Sequence, residues 1–165
     1  MAQSIRKVRI LDWQVLYIIN SHASSVGGTL KGAGLENSKG LVTARWEQDP
    51  VDSSEENAGL REYRACVAKY MPQLNLSETT AVTGYNNAFM IEQVLKRCGD
   101  ELTRENLLTQ ATHLRGLVPP MVIPGVEIYN SPSNYAAFHN MQLAQFDGSQ
   151  WGSIGSLISI DAGRQ

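Results

Sequence analysis

Ile5-Arg-Lys-Val-Arg-Ile-Leu-Asp-Trp-Gln-Val-Leu-Tyr-Ile-Ile19 decides the fold class. Its first half places Ile5, Val8 and Leu11 three apart, the spacing of one buried helical stripe, and predicts a helix ending near Asp12. Its second half, Val15 to Ile19, is a continuous apolar run rich in β-branched and aromatic residues. That pattern predicts a strand buried on both faces of a parallel sheet. A helix running directly into a buried strand is the alternation of an α/β protein.

Downstream of this stretch, Gly27, Gly28, Gly32 and Gly34 predict a loop and short helix whose backbone packs closely under a sheet, and Gly40 to Trp46 predicts a second strand. Glu47 to Asn57 is polar, contains Pro50 and reads as a linker between lobes. Three helices are then expected. The first carries Leu60, Tyr63, Val67, Tyr70 and Met71 on one side and stops before Pro72. The second runs from about Thr80 to Cys98, with Val82, Tyr85, Phe89, Val94, Leu95 and Cys98 as its stripe and Gly99 as a left-handed cap. The third opens on Thr103 as N-cap, with Leu102 and Leu107 as a hydrophobic staple and Leu108, Ala111 and Leu114 continuing the apolar side. Pro119, Pro120, Pro124 and Pro132 argue against helix beyond this point. Met141 to Phe146 alternates like a strand, Asp147 to Gln150 is a turn, and Trp151 to Ile154 closes a terminal hairpin, with a frayed tail from Ser159.

Charge and motif content exclude several function classes. The 165 residues include 14 basic and 16 acidic side chains, for a net charge of -2, leaving no positive excess to neutralise nucleic-acid phosphates. Neither Val15 to Ile19 nor Leu117 to Ile123 approaches the roughly 20 apolar residues of a membrane span. The segment after Met1 lacks the unbroken apolar core of an export signal. Gly27 to Gly34 has neither the lysine nor the hydroxyl offsets of a phosphate loop. His22, His113 and His139 lack metal-ligand spacing, and no nucleophile elbow occurs, so no metal, cofactor or catalytic residue is expected. The acid pairs Glu55-Glu56 and Asp100-Glu101 read as solvated surface. Cys66 and Cys98 fall on apolar sides of two expected helices, either as small buried hydrophobes or as a disulfide between neighbours.

From Gly34 onward the order of motifs resembles the C-terminal portion of Leu/Ile/Val-type solute receptors of ABC importers, the type I periplasmic solute-binding proteins. The resemblance is carried by Gly34-Leu-Glu-Asn-Ser-Lys-Gly40, Asp49-Pro-Val-Asp52, Tyr63-Arg-Ala-Cys-Val-Ala-Lys-Tyr-Met-Pro72 and Gly84-Tyr-Asn-Asn-Ala88. It continues through Cys98-Gly-Asp-Glu-Leu-Thr-Arg-Glu-Asn-Leu107, Pro124-Gly-Val-Glu-Ile-Tyr-Asn-Ser-Pro-Ser-Asn-Tyr135 and Met141-Gln-Leu-Ala-Gln-Phe-Asp-Gly-Ser-Gln-Trp151, and Ile5 to Asn20 fits the same alignment.

The resemblance implies a partial two-lobed α/β fold: parallel strands with flanking helices and a C-terminal hairpin, the first lobe largely missing. It divides the chain into residues 1–46, the end of lobe two with a crossing strand; 47–125, the helical part of lobe one; and 126–165, the last crossing near Val126 to Tyr129, the hairpin and the tail. It also implies a non-catalytic protein that holds a small organic solute (an amino acid, amide or small organic acid) in an interlobe cleft and works with an ABC permease. The ligand-facing loop would be Asn20-Ser21-His22-Ala23, which follows a strand end where α/β sheets place ligands. Some relatives carry an acid there for the solute's ammonium, whereas Ser21 and His22 supply no fixed negative charge. Family members are periplasmic; the chain as given, lacking a signal pattern, would be cytoplasmic. With one side of the clamp missing, weak binding is expected. Apolar surface exposed by the missing lobe is expected to drive homo-oligomerisation.

Overall fold

The computed structural model describes residues 1–51 and 57–160, so the expectations for Asp52, Glu55-Glu56 and the last five residues lie outside the described residues. α1, Ala2–Ile10, buries Ile5 but leaves Leu11 in solvent, and the chain reverses at Asp12 with φ 47°. β1 follows as Ile18–Ile19. A 3-10 turn, Ser21–Ser24, and one π-helical turn, Val26–Leu30, then lead into two short helices, α2 (Lys31–Ala33) and α3 (Leu35–Ser38). β2 is Val42–Arg45. Next come α4 (Ala58–Tyr70), α5 (Thr80–Cys98), α6 (Arg104–Ala111), β3 (Arg115–Leu117), β4 (Ile128–Tyr129), β5 (Asn140–Phe146) and β6 (Trp151–Ser159).

Four of the strands form one sheet in the order β1-β2-β5-β6. β1 pairs parallel with β2, Ile18 opposite Val42, while β2–β5 and β5–β6 are antiparallel, with a bulge between Met141 and Leu143. β3 and β4 make a separate antiparallel pair, and of the segment Val126 to Tyr129 only Ile128 and Tyr129 are strand. The expected hairpin is present and longer than its alternation suggested. Asp147 builds its turn by accepting from the amides of Ser149 (2.7 Å) and Gln150 (2.8 Å), and pairing persists to Ser159, where fraying was expected. Those hydrogen bonds hold the Asp147 carboxyl below its ordinary range.

The strand read from Val15 to Ile19 requires correction. Only Ile18 and Ile19 pair, and β1 is an edge strand whose second face is open, with Leu16 74% and Ile18 61% exposed. Ile19 is buried in the core with Ile5, Leu30, Leu41, Phe146 and Trp151, and Tyr17, two positions earlier, packs against it partly buried. Period-2 geometry sends neighbouring side chains to opposite faces, so a one-sided sheet buries every second residue of the run.

The helical region has its own core. α4 and α5 enclose Leu60, Tyr63, Val67, Val82 and Met121, and α5 and α6 close over Val94, Cys98, Leu114 and Ile128. α5 has the expected bounds, and Thr103 caps α6 by accepting from the Asn106 amide at 3.2 Å. Leu102, Leu107 and Leu108 are exposed, so the expected staple does not form a buried contact. Cys66 and Cys98 are free thiols. Cys66 neighbours Tyr85, which it perturbs electrostatically, whereas Cys98 lies 13 positions further along α5, about 20 Å at the helical rise. A disulfide requires Cα atoms within about 7 Å, so the bridge is excluded.

Backbone approaches fix how α4 sits. A Cβ on Gly59 would lie 1.9 Å from the Pro120 carbonyl oxygen, so only glycine permits this contact. Gly84 in α5 has nothing within 4 Å of such a position. Gly59→Ala is therefore expected to cost about 2–3 kcal/mol through overpacking, and Gly84→Ala to stabilise by about 0.5–1 kcal/mol through helix propensity. Urea denaturation of both variants checks the pair, which should move in opposite directions.

Candidate functional site

The loop after β1 is organised by its own side chains. Asn20 accepts from the Ala23 amide at 2.9 Å and thereby caps the 3-10 turn. Ser25 accepts from the Gly28 amide at 3.0 Å and donates to the Ser77 carbonyl at 3.1 Å, and the Gly27 amide donates to that same carbonyl. Gly27 is a second close approach, since a Cβ there would lie 2.1 Å from Ser77 Oγ. This is the tight backbone packing expected of the glycine-rich stretch. The Trp151 indole donates to the Ser24 carbonyl at 2.9 Å and fastens the turn to the hairpin. These bonds bring the loop against the N-terminus of α5.

The chain leaving β2 is held just as firmly. Trp46 to Gln48 runs antiparallel to Met121 to Ile123: Gln48 N donates to the Met121 carbonyl and Ile123 N to the Trp46 carbonyl, each at 3.0 Å, with Glu47 opposite Val122. Asn86 of α5 clamps the same place, accepting from the Met121 amide at 3.0 Å. The stretch expected to be a polar linker is therefore structural at its start. Gln48 is only 2% exposed, and neither its Nε2 nor its Oε1 has a partner.

Between these two pieces lies a cavity of about 90 Å³. Ser21, His22 and Ser24 line it from the loop, Trp46 and Glu47 from the chain after β2, and Thr79, Thr80 and Thr83 from the start of α5. Trp151 closes one side. Of the four loop residues singled out in the sequence, Ser21 and His22 reach the cavity. Asn20 and Ala23 do not line it, being engaged with each other in the cap.

Glu47 carries the chemistry that sequence reasoning missed. One carboxylate oxygen accepts from Thr83 Oγ1 at 2.8 Å and the other from Asn86 Nδ2 at 3.1 Å. Burial pushes its carboxyl above the ordinary value, opposed by these two donors and by the nearby His22. Arg45, Asp49 and Tyr63 are the other ionisable neighbours, the first two lining the cavity and Tyr63 being perturbed by Glu47. Trp46 stacks on Phe138 with ring centroids 5.6 Å apart and makes a T-shaped pair with His22 at a centroid distance of 6.0 Å, making one wall aromatic. The only local signal for this arrangement was Trp46-Glu47 at the end of a strand.

Among the described residues no cluster of three His, Cys, Asp or Glu side chains is placed to hold a metal ion, and no helix is long and apolar enough to cross a membrane.

A sheet containing a parallel pair, with flanking helices, forms part of a type I periplasmic binding-protein fold. Solved structures of that class superpose on nearly the whole chain. One is described as a branched chain amino acid ABC transporter from Thermus thermophilus with bound valine, with TM-score 0.77, 15% identity, and coverage of 97% of this chain and 43% of that one. Another, a possible leucine/isoleucine/valine-binding protein from Rhodopirellula baltica SH 1, gives 0.68 and 14%, covering 93% of this chain and 39% of that one. A substrate-binding periplasmic protein from Ralstonia solanacearum gives 0.68 and 21%, covering 96% and 42%. The chain spans about two fifths of the length of these structures. No family model and no curated protein sequence matches it.

The raised carboxyl of Glu47 has a measurable consequence. Unfolded, the group titrates near its ordinary value of 4.5; folded, it keeps its proton to higher pH. Across that window the folded chain binds more protons than the unfolded one, so stability falls as pH rises. Glu47→Gln removes this slope while keeping an acceptor for Asn86. The variant should be at least as stable as the parent at pH 8 and lose that advantage below about pH 4.5, read from denaturation midpoints across pH.

Proposed function

We propose that the chain is part of the substrate-binding component of a branched-chain-amino-acid-type ABC importer, holding a small organic solute between Ser21-His22 and the start of α5 without catalysis. The observation that carries this reading is the cavity itself, whose walls come from chain on both sides of the crossing segment at Trp46 to Gln48. On this reading residues 1–46 end one lobe, 47–125 form the helical part of the other, and 126–165 supply the last crossing and the hairpin. Short strands bordered by irregular chain suit a hinge that closes on its ligand. The partner is a permease of the family type and the compartment the periplasm, both supported by the described identities of the superposed structures. The solute is an amino acid, amide or small organic acid.

A cavity this small holds a head group, well under the roughly 300–1,000 Å³ of ordinary ligand pockets. Affinity for the chain by itself is therefore expected on the order of 0.1 mM. Calorimetric titration with valine, isobutyramide and isobutyrate should show one-to-one binding of at least one compound. Thr80→Trp, which fills the cavity from an exposed position, should weaken it about tenfold or more. Binding that ignores this substitution would overturn the reading.

A second reading, as a self-associating structural protein, is favoured by a different observation. Ile10, Leu11, Trp13, Leu16 and Ile18 are all exposed within nine residues, beside the open edge of β1. Apolar surface of this kind next to a free strand edge promotes pairing with another chain. Sedimentation should show dimers at micromolar concentration that Leu16→Lys dissociates; a monomer throughout would dismiss this reading.

A further inference from the structure

A second and larger cavity lies beside the seam formed by Trp46 to Gln48 and Met121 to Ile123. It is a groove of about 570 Å³, inside the roughly 300–1,000 Å³ of ordinary ligand pockets. Val118, Val122, Ile123, Pro124 and Val126 give it apolar walls. Among the described residues, Gln48 alone lines both this groove and the smaller cavity.

Polar side chains on the groove are few and mostly committed. Asn57 caps α4, its carbonyl oxygen accepting from the Leu60 amide at 3.0 Å. Glu62 and Glu127 offer only acceptors when ionised, and no lysine, arginine or histidine stands among the described lining residues to balance them. Gln48 is different, since its carboxamide carries a donor and an acceptor side by side. It is 2% exposed, and both Nε2 and Oε1 lack a hydrogen-bond partner. Buried amides ordinarily have partners, and leaving both ends unmade is costly. The main chain is not free to relieve this, because Gln48 N is bonded to the Met121 carbonyl at 3.0 Å within the seam. The side chain has rotatable bonds, and turning about them presents the amide to whatever occupies the groove it borders.

We propose that this groove is a second binding site, taking a small neutral molecule that has an apolar body and a cis-amide edge, as in a lactam. Such an edge sets one N–H beside one C=O and pairs head to head with the Gln48 carboxamide, satisfying both of its ends at once. A carboxylate is disfavoured twice, by lacking the donor and by facing Glu62 and Glu127. The walls bury the body of the ligand, and Gln48 determines its head group. This site is independent of the solute reading of the smaller cavity, whose other walls come from different chain.

Ring compounds of one shape test the head group. ε-Caprolactam has the cis-amide edge, N-methylcaprolactam and ε-caprolactone lack the donor, and azepane is a cation at neutral pH. Titration of the full chain followed by NMR should give caprolactam at least about tenfold tighter binding than the other three. In Gln48→Met, which keeps the length of the side chain without its amide, caprolactam should fall to within about threefold of N-methylcaprolactam. Val118→Trp, which fills the groove from a position 56% exposed, should weaken caprolactam about tenfold or more. Thr80→Trp should change it less than about threefold. Equal binding of caprolactam and its N-methyl form, the result if Gln48 bonds only to enclosed water, would overturn the proposal. Tightest binding of azepane would overturn it too, by showing that the two glutamates govern the groove. Caprolactam binding lost in Thr80→Trp but kept in Val118→Trp would place the ligand in the smaller cavity, ending this inference and leaving the solute site standing. If none of the four binds, the groove is no such site. The comparison among probes uses the unaltered protein, so it does not depend on a variant folding.

Discussion

The short antiparallel seam between Trp46 to Gln48 and Met121 to Ile123 is the constraint on which the rest of the molecule depends. It joins the end of the four-stranded sheet to the helical region through two main-chain hydrogen bonds of 3.0 Å and the amide clamp of Asn86. Met121 completes the core between α4 and α5, while Trp46 packs with Val122, Ile123 and Val126. The seam thus belongs to both cores, and the cavity opens where they meet. Gly59 matters for the same reason, because its contact with the Pro120 carbonyl sets how closely α4 approaches this strip.

Much of the helical region was legible because its signals are local. The bounds of α5, the Thr103 cap and the Asp147 turn each follow from a few neighbouring residues whose chemistry satisfies nearby backbone groups. What failed depended on distant chain. An apolar run such as Val15 to Ile19 is the same sequence whether a sheet covers one face or two, and the burial of Ile19 is decided by where β2 and β5 lie. Glu47 read as linker because its partners, Thr83 and Asn86, are 36 and 39 positions away. β3 was not anticipated at all; three residues around Gly116 carry too little pattern to announce a strand. Cys66 and Cys98 show the converse, two plausible neighbours by sequence that helix length keeps apart.

The cavity works against the stability of the fold that holds it. Withdrawing the Glu47 carboxylate from water costs stability that its two donors and the nearby His22 only partly offset. The same loop that gives the cavity its shape spends its other polar groups internally: Asn20, Ser24 and Ser25 all bond within or beside their own turns. Such a loop holds Ser21 and His22 in a fixed frame at the cavity wall.

The seam also has a mechanical side. Standing by itself, this strip of chain could swivel about any of its bonds; here Glu47 is laced to Val122, so torsion applied to one ribbon must be shared by its companion. Because Glu47 lines the cavity and is itself a rung of this ladder, any displacement of its side chain also loads the ladder.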